Sequence, residues 1–297
     1  MRLEKKATIV STSVAGLLVI MKMTVGILSG SIAVLASAID SFLDLIVSLF
    51  NFFALNTAED APDDDFNYGK GKMEPLAAVI EGTVISLSAL FILYEALHKI
   101  IDPKKMEYIS ESIIVMLASI VITTFLVMFL NHVAKKTKNL VIKADALHYK
   151  TDIFSNGAVL VALALVTLTD IQLIDAVIGL GIAVYMIYSS IPIIREGILM
   201  LLDVSLPDED VIKIKKSITR HDDVTDYHFL ATREAGSHIF ISVHVVFNLD
   251  ISLYDAHSVT DKIEDEWKKL FPDKKVHPLI HMDPYDDSDI NTLEDKH

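Results

Sequence analysis

Two carboxylates four residues apart, Asp40 and Asp44, lie inside an apolar run over roughly residues 31–55. In an α-helix positions i and i+4 share one face, about one turn apart. Both carboxylates therefore point the same way from a helix long enough to cross a bilayer. A second pair at the same spacing, His148 and Asp152, lies in another long apolar segment, and Asp145 precedes it. Ionisable side chains at membrane depth are costly and face a bundle interior or a water-filled path. A neutral imidazole with carboxylate oxygens suits Zn²⁺, and also Fe²⁺ and its neighbours. The chain has no cysteine, which disfavours soft Cu(I) and excludes disulfides and thiol nucleophiles. Ca²⁺ is disfavoured because it takes six or more oxygens.

Depth ties the two pairs together. With a rise of about 1.5 Å per residue and a hydrocarbon core of about 30 Å, Asp40 and Asp44 sit about 15 and 21 Å below the outer surface. A helix entering from the inside near residue 140 puts His148 and Asp152 about 18 and 12 Å below the same surface. If the two helices are neighbours, the four residues share one layer and make a tetrahedral set. The bland alternative is a structural polar cluster neutralised by a lysine. Lys150 projects from the opposite side of its helix from His148 and Asp152, and Lys22, near the outer end of the first helix, reads as a snorkelling side chain. Asp145 either lines an entrance or caps a solvated helix end.

These residues need helices to hold them. Just over half of the 297 residues are hydrophobic, and the long apolar blocks are confined to the first 200 or so, which describes a membrane protein with a soluble appendage. Six membrane helices are predicted, over residues 7–28, 31–55, 74–100, 112–134, 140–168 and a last one ending near 194. The first block lacks a small-residue cleavage motif and reads as a retained helix. Short turns follow at Ser29-Gly30 and Thr169-Asp170, and Asp102-Pro103-Lys104-Lys105 breaks the third helix. Arg2, Lys5, Lys6, Lys70, Lys72, Lys135, Lys136, Lys138, Lys143 and Arg195 fall on one side, against Lys99, Lys104 and Lys105 on the other. The positive-inside rule then places both termini in the cytoplasm.

The domains expected are a transmembrane unit over 1–206, a soluble α+β unit over 207–285 and a disordered acidic tail over 286–297. Pro207 starts a helix with Asp208, Glu209 and Asp210 in its first turn. Strands over 225–232 and 238–248 flank Gly236 as a hairpin. A helix over 254–270 and a strand over 276–282 complete an α-β-β-α-β order with both helices on one face. Ten of the fourteen net negative charges belong to residues 201–297. An acidic soluble part argues against nucleic acid, which needs a basic footprint.

The motifs DSFLD at 40–44, HYKTD at 148–152, YGKGKMEPL at 68–76 and LLDVSLP at 201–207 together resemble the cation diffusion facilitators, with the bacterial zinc/ferrous-iron efflux branch most similar. The resemblance spans nearly the whole chain. It implies a homodimer in a bacterial inner membrane that exchanges a divalent metal for protons, and a metallochaperone-like cytoplasmic domain. It puts the transport site on Asp40, Asp44, His148 and Asp152. Asp40 stands where strongly zinc-selective relatives carry His, which implies a range including Fe²⁺ and Cd²⁺ as well as Zn²⁺. It further implies a regulatory metal cluster of His228, His244, His257, His281 and Asp283 at the dimer contact, and an interlock of Lys72 with Asp203. The bland reading of Lys72 is an ordinary positive-inside lysine. His221, His238, His277 and His297 have no such support, and Trp267 reads as packing.

The chain departs from the family pattern before the third helix. Related members carry a second metal site there of one Asp and two His; this chain has Asp63, Phe66 and Lys70, so that site is expected to be absent. Asp63, Asp65, Asn67 and Glu74 fit EF-hand positions 1, 3, 5 and 12, but Tyr68 stands where the sharp turn needs Gly.

Two rival classes remain, a metal channel without proton coupling and a membrane-anchored metal sensor. The sensor leaves the buried Asp/His pairs on two helices unexplained. A hydrolase would need a nucleophile or an open metal with a general base, and the chain offers neither beyond the same four residues, so it is read as a non-enzyme.

Overall fold

The computed structural model describes residues 2–29, 32–101, 110–169 and 173–287. The breaks expected at Gly30, at 102–105 and at Asp170, and the tail from residue 288, lie outside the described residues. The chain folds as two compact units, Met1–Ile198 and Leu199–His297.

The first unit is built on six long helices among the described residues: α1 (Leu3–Ser29), α2 (Ile32–Ala58), α3 (Met73–Ile101), α4 (Ser110–Thr137), α5 (Leu140–Thr169) and α6 (Leu173–Leu201). Each has 27 to 30 residues, or about 40 Å at 1.5 Å per residue, more than the bilayer core requires. Five of them contain stretches long and apolar enough to cross a membrane; α5 is the exception. Its first half carries Lys143, Asp145, Lys150 and Asp152. Asp145, His148, Tyr149 and Thr151 are buried there, while Val161 and Leu165 farther along are exposed. Of its charged residues the bundle shields Asp145 fully and Lys150 and Asp152 in part, while Lys143 is exposed.

Small residues set the packing. A side chain at Gly197 would meet Val79 Cγ2 at 2.6 Å and the Pro75 carbonyl at 3.0 Å, and one at Gly82 would meet Ile194 at 2.8 Å, so both glycines let α3 and α6 approach closely. Ser86 and Ser190 hydrogen-bond across that contact at 2.8 Å, a satisfied polar pair where lipid offers no alternative partner.

The second unit runs α7 (Asp208–Thr219), β1 (Val224–Ala235), β2 (His238–Phe247), α8 (Leu253–Leu270) and β3 (Lys275–Asp283), the α-β-β-α-β order read from the sequence. Pro207 precedes α7, whose first turn is acidic. Gly236, at φ +60°, takes the left-handed position the β1–β2 turn requires. The strands lie in the order β1-β2-β3, with β2 antiparallel to β1 and parallel to β3. Alternate β2 residues Ile239, Ile241, Val243, Val245 and Phe247 pack with Ile214 and Ile218 of α7 and with Val259, Ile263 and Trp267 of α8. Both helices therefore cover one face of the sheet, because successive strand residues point to opposite faces. The other face carries His238, Phe240 and His244.

Candidate metal centre

In the first unit, α2 and α5 bring Asp44, His148 and Asp152 together, with one ligating atom of each within 4.8 Å of the others. His148 Nε2 lies 3.1 Å from Asp44 Oδ1 and 3.9 Å from Asp152 Oδ2. One imidazole and two carboxylates from neighbouring helices could together hold a metal ion. Tyr149 stacks its ring edge-on to His148 at 5.5 Å, and its hydroxyl is hydrogen-bonded to Ser48 Oγ at 2.7 Å in the buried interior. That bond ties α5 to α2 one turn from Asp44.

Asp40 is one turn before Asp44 on α2 but exposed, and it is not in the three-residue group. Lys22 is not the snorkelling residue expected: it is buried, and its ammonium donates to Ser41 Oγ at 2.7 Å and to the Ser37 carbonyl at 3.4 Å. Contact with α2 holds it in the bundle, with Asp40, Asp44 and Asp152 in its electrostatic surroundings. Lys150 is turned away, over the rings of Phe154 and Tyr185, as its position on α5 requires. Asp145 is fully buried rather than at a solvated helix end. Glu81 of α3 is also buried and accepts from Asn51 Nδ2 at 2.9 Å. Glu81 and Asn51 add to the residues expected from the sequence, and a Glu within an apolar stretch of a membrane helix is a readable signal.

In the second unit, strand register assembles another group. His228 of β1 pairs with His244 of β2, and His244 with His281 of β3, so three imidazoles stand in one row across the sheet. His228, His244, Asp283 and Asp287 each offer a ligand atom within 4.8 Å of the rest. His244 Nδ1 is 2.9 Å from Asp283 Oδ2, and His281 Nε2 is 3.1 Å from Asp283 Oδ1. Both ring nitrogens of His228 are buried without hydrogen-bond geometry, although Asp287 Oδ1 approaches Nε2 to 3.1 Å. A buried imidazole without hydrogen-bond partners, gathered with a second imidazole and two carboxylates, fits a divalent metal. The register shift after His228 and the left-handed Phe229, at φ +52°, place strain beside this row. His257 is not drawn in: it is exposed on α8 and faces Asp261 at 3.8 Å, because α8 packs against the other face of the sheet. Asp286 and Asp287, placed with the acidic tail in the sequence reading, lie against His228.

The loop before α3 brings Asp63, Phe66 and Lys70 together. Lys70 Nζ sits 2.9 Å from Asp63 Oδ2 and 4.7 Å from the centre of the Phe66 ring. Asp63 Oδ1 accepts from the backbone N–H groups of Asp65 and Phe66. The Lys70 hydrogen bond, then that from Phe66, holds the Asp63 carboxyl below the usual carboxylate range. An ammonium thus occupies the charge position a cation would take. Asp203, beyond α6 at φ +58°, accepts from Arg233 Nη1 at 3.0 Å.

The family profile for a cation efflux transmembrane domain matches residues 8–202, and that for a cation efflux protein cytoplasmic domain matches 206–285. The cation-efflux pump FieF of Escherichia fergusonii is 35% identical over 283 residues, covering 95% of this chain and 93% of that one. FieF of Citrobacter koseri is 36% identical over the same span. A solved CzrB chain is 28% identical and covers 28% of this chain and 100% of that chain at a TM-score of 0.26, too low to argue from. The chain belongs to the cation efflux, or cation diffusion facilitator, family.

Proposed function

We propose that this chain is a homodimeric exporter of a divalent metal cation, Zn²⁺ or Fe²⁺ with Cd²⁺ also accepted, that exchanges the metal for protons across a bacterial inner membrane. The observation that carries the reading is the convergence of Asp44, His148 and Asp152 from two helices inside the bundle. Metal ligands must be deprotonated, so binding releases protons and protonation releases metal. A shielded imidazole–carboxylate site can therefore alternate between the two cargoes as it is exposed to either side. Asp40, on the same face of α2, is assigned as the fourth ligand, recruited when metal binds.

Both termini are assigned to the cytoplasm on the balance of positive charge. The row of His228, His244 and His281 with Asp283 and Asp287 is assigned as a regulatory metal site. The metal there would bridge strands β1 to β3 and favour one conformation of the dimer. Lys72 and Asp203 are assigned as a charge pair linking membrane and cytoplasmic parts. A Lys72→Asp variant inactive alone and rescued by Asp203→Lys supports that pair, and additive losses sink it.

The export reading is tested by metal flux in proteoliposomes, Zn²⁺ and Fe²⁺ side by side, with and without an imposed pH gradient, comparing the unaltered chain with Asp44→Ala. Gradient-driven flux lost in the variant is expected. Flux indifferent to the gradient would establish a channel, and a protein that binds metal but moves none would establish a sensor.

A further inference from the structure

Asn51 of α2, Glu81 of α3 and Asp145 of α5 converge in a second buried layer, at 0%, 1% and 0% exposure. Asn51 Nδ2 donates to Glu81 Oε2 at 2.9 Å, and Asn51 and Ser11 adjoin Asp145. Four acceptor atoms are left buried without partners in hydrogen-bond geometry: Asn51 Oδ1, Glu81 Oε1 and both oxygens of Asp145. Buried acceptors are ordinarily paired, and two carboxylates enclosed together call for a positive occupant. Oxygen-only donors of this kind suit hard or intermediate divalent cations.

Position gives the layer a role. Asp145 precedes His148 by three residues on α5 and Asn51 follows Asp44 by seven on α2, displacements of about 5 and 10 Å along the helices. Both point to the end where α2 finishes and α3 and α5 begin. The Ser48–Tyr149 hydrogen bond lies between the two layers.

We propose that Asn51, Glu81 and Asp145 form a second divalent-cation site, an oxygen-lined station through which the cargo passes to or from the Asp44–His148–Asp152 centre. The role as a station rests on the export reading; cation binding by the layer does not.

The test uses the full-length protein in nanodiscs, stripped of metal and titrated with Mn²⁺, with free Mn²⁺ read by electron paramagnetic resonance. In a background of Asp44→Asn, Asp152→Asn, His228→Ala and His244→Ala, one Mn²⁺ per chain is expected to remain bound. Adding Glu81→Gln and Asp145→Asn is expected to weaken that binding at least tenfold. No retained Mn²⁺, or retention indifferent to the two added changes, would overturn the site. A measurement free of variants is anomalous scattering from crystals of the unaltered protein grown with Mn²⁺. A peak between the Glu81 and Asp145 carboxylates supports the site, and peaks only at the other centres reject it. Vesicles of unaltered protein that move no metal would remove the station role and leave the Mn²⁺ stoichiometry to decide the site.

Discussion

His148 Nε2 lies 3.1 Å from Asp44 Oδ1 across 104 positions of sequence, linking α5 to α2 inside the membrane unit. On the proposed export reading, the imidazole is the nitrogen donor of an otherwise oxygen site and is expected to set the metal preference. Carboxylate sites favour Mn²⁺ and Mg²⁺, whereas imidazole favours zinc and iron. Replacing His148→Asp is expected to lower Zn²⁺ flux more than tenfold while sparing Mn²⁺ flux, read in proteoliposomes. Equal loss of both metals would mean the imidazole does not set selectivity.

Lys22 places a buried ammonium beside Ser41 within the field of three aspartates. A fixed positive charge there opposes a divalent cation by Coulomb repulsion, which is large where water is excluded. The variant Lys22→Met is expected to bind Zn²⁺ about tenfold more tightly, roughly 1.4 kcal/mol, and to release it more slowly. Titration calorimetry showing weaker binding would mean that Lys22 organises the site.

The loop before α3 holds a lysine where a cation would stand. Asp63, Phe66 and Lys70 already converge, so the double change Phe66→His and Lys70→His is expected to add one Zn²⁺ per chain, counted by elemental analysis after dialysis. An unchanged count would show that the loop's backbone does not allow the two imidazoles and Asp63 to meet.

Two histidines are expected to make the cytoplasmic unit sensitive to acid. Burial and then Lys275 hold the His277 pKa below its ordinary value, and burial with Arg220 and Lys262 does so for His221. Between the lowered folded value and the ordinary value of about 6.5, the unfolded chain binds more protons, so stability rises with pH. The thermal midpoint of this unit is expected to fall as the pH drops from about 7 to about 5. His277→Gln should flatten that dependence, and an unchanged slope would clear His277 of the role.

Trp267 Nε1 donates to Ser217 Oγ at 2.7 Å, both fully or nearly fully buried between α8 and α7. Ser217→Ala leaves the indole N–H without a partner, at a cost of about 1–3 kcal/mol. Denaturant unfolding followed by the fluorescence of this one tryptophan checks it. A change under about 0.5 kcal/mol would mean the indole finds another acceptor.

Hydrophobic blocks and i,i+4 pairs are local properties, and they sufficed to place six helices and the α-β-β-α-β order and to single out Asp44, His148 and Asp152, which the structure brings together. Depth arithmetic works because helix rise and bilayer thickness are constants. What a residue's neighbours on other helices are is not local. Glu81 and Asn51 each look like a stray polar residue until α2, α3 and α5 pack and enclose them with Asp145. Lys22 looks like a snorkelling side chain until its ammonium meets Ser41. The histidine row depends on strand register, which a shift of one residue would send to the other face of the sheet. Register is decided by pairing, and pairing set His228, His244 and His281 side by side while leaving His257 on a helix across the sheet.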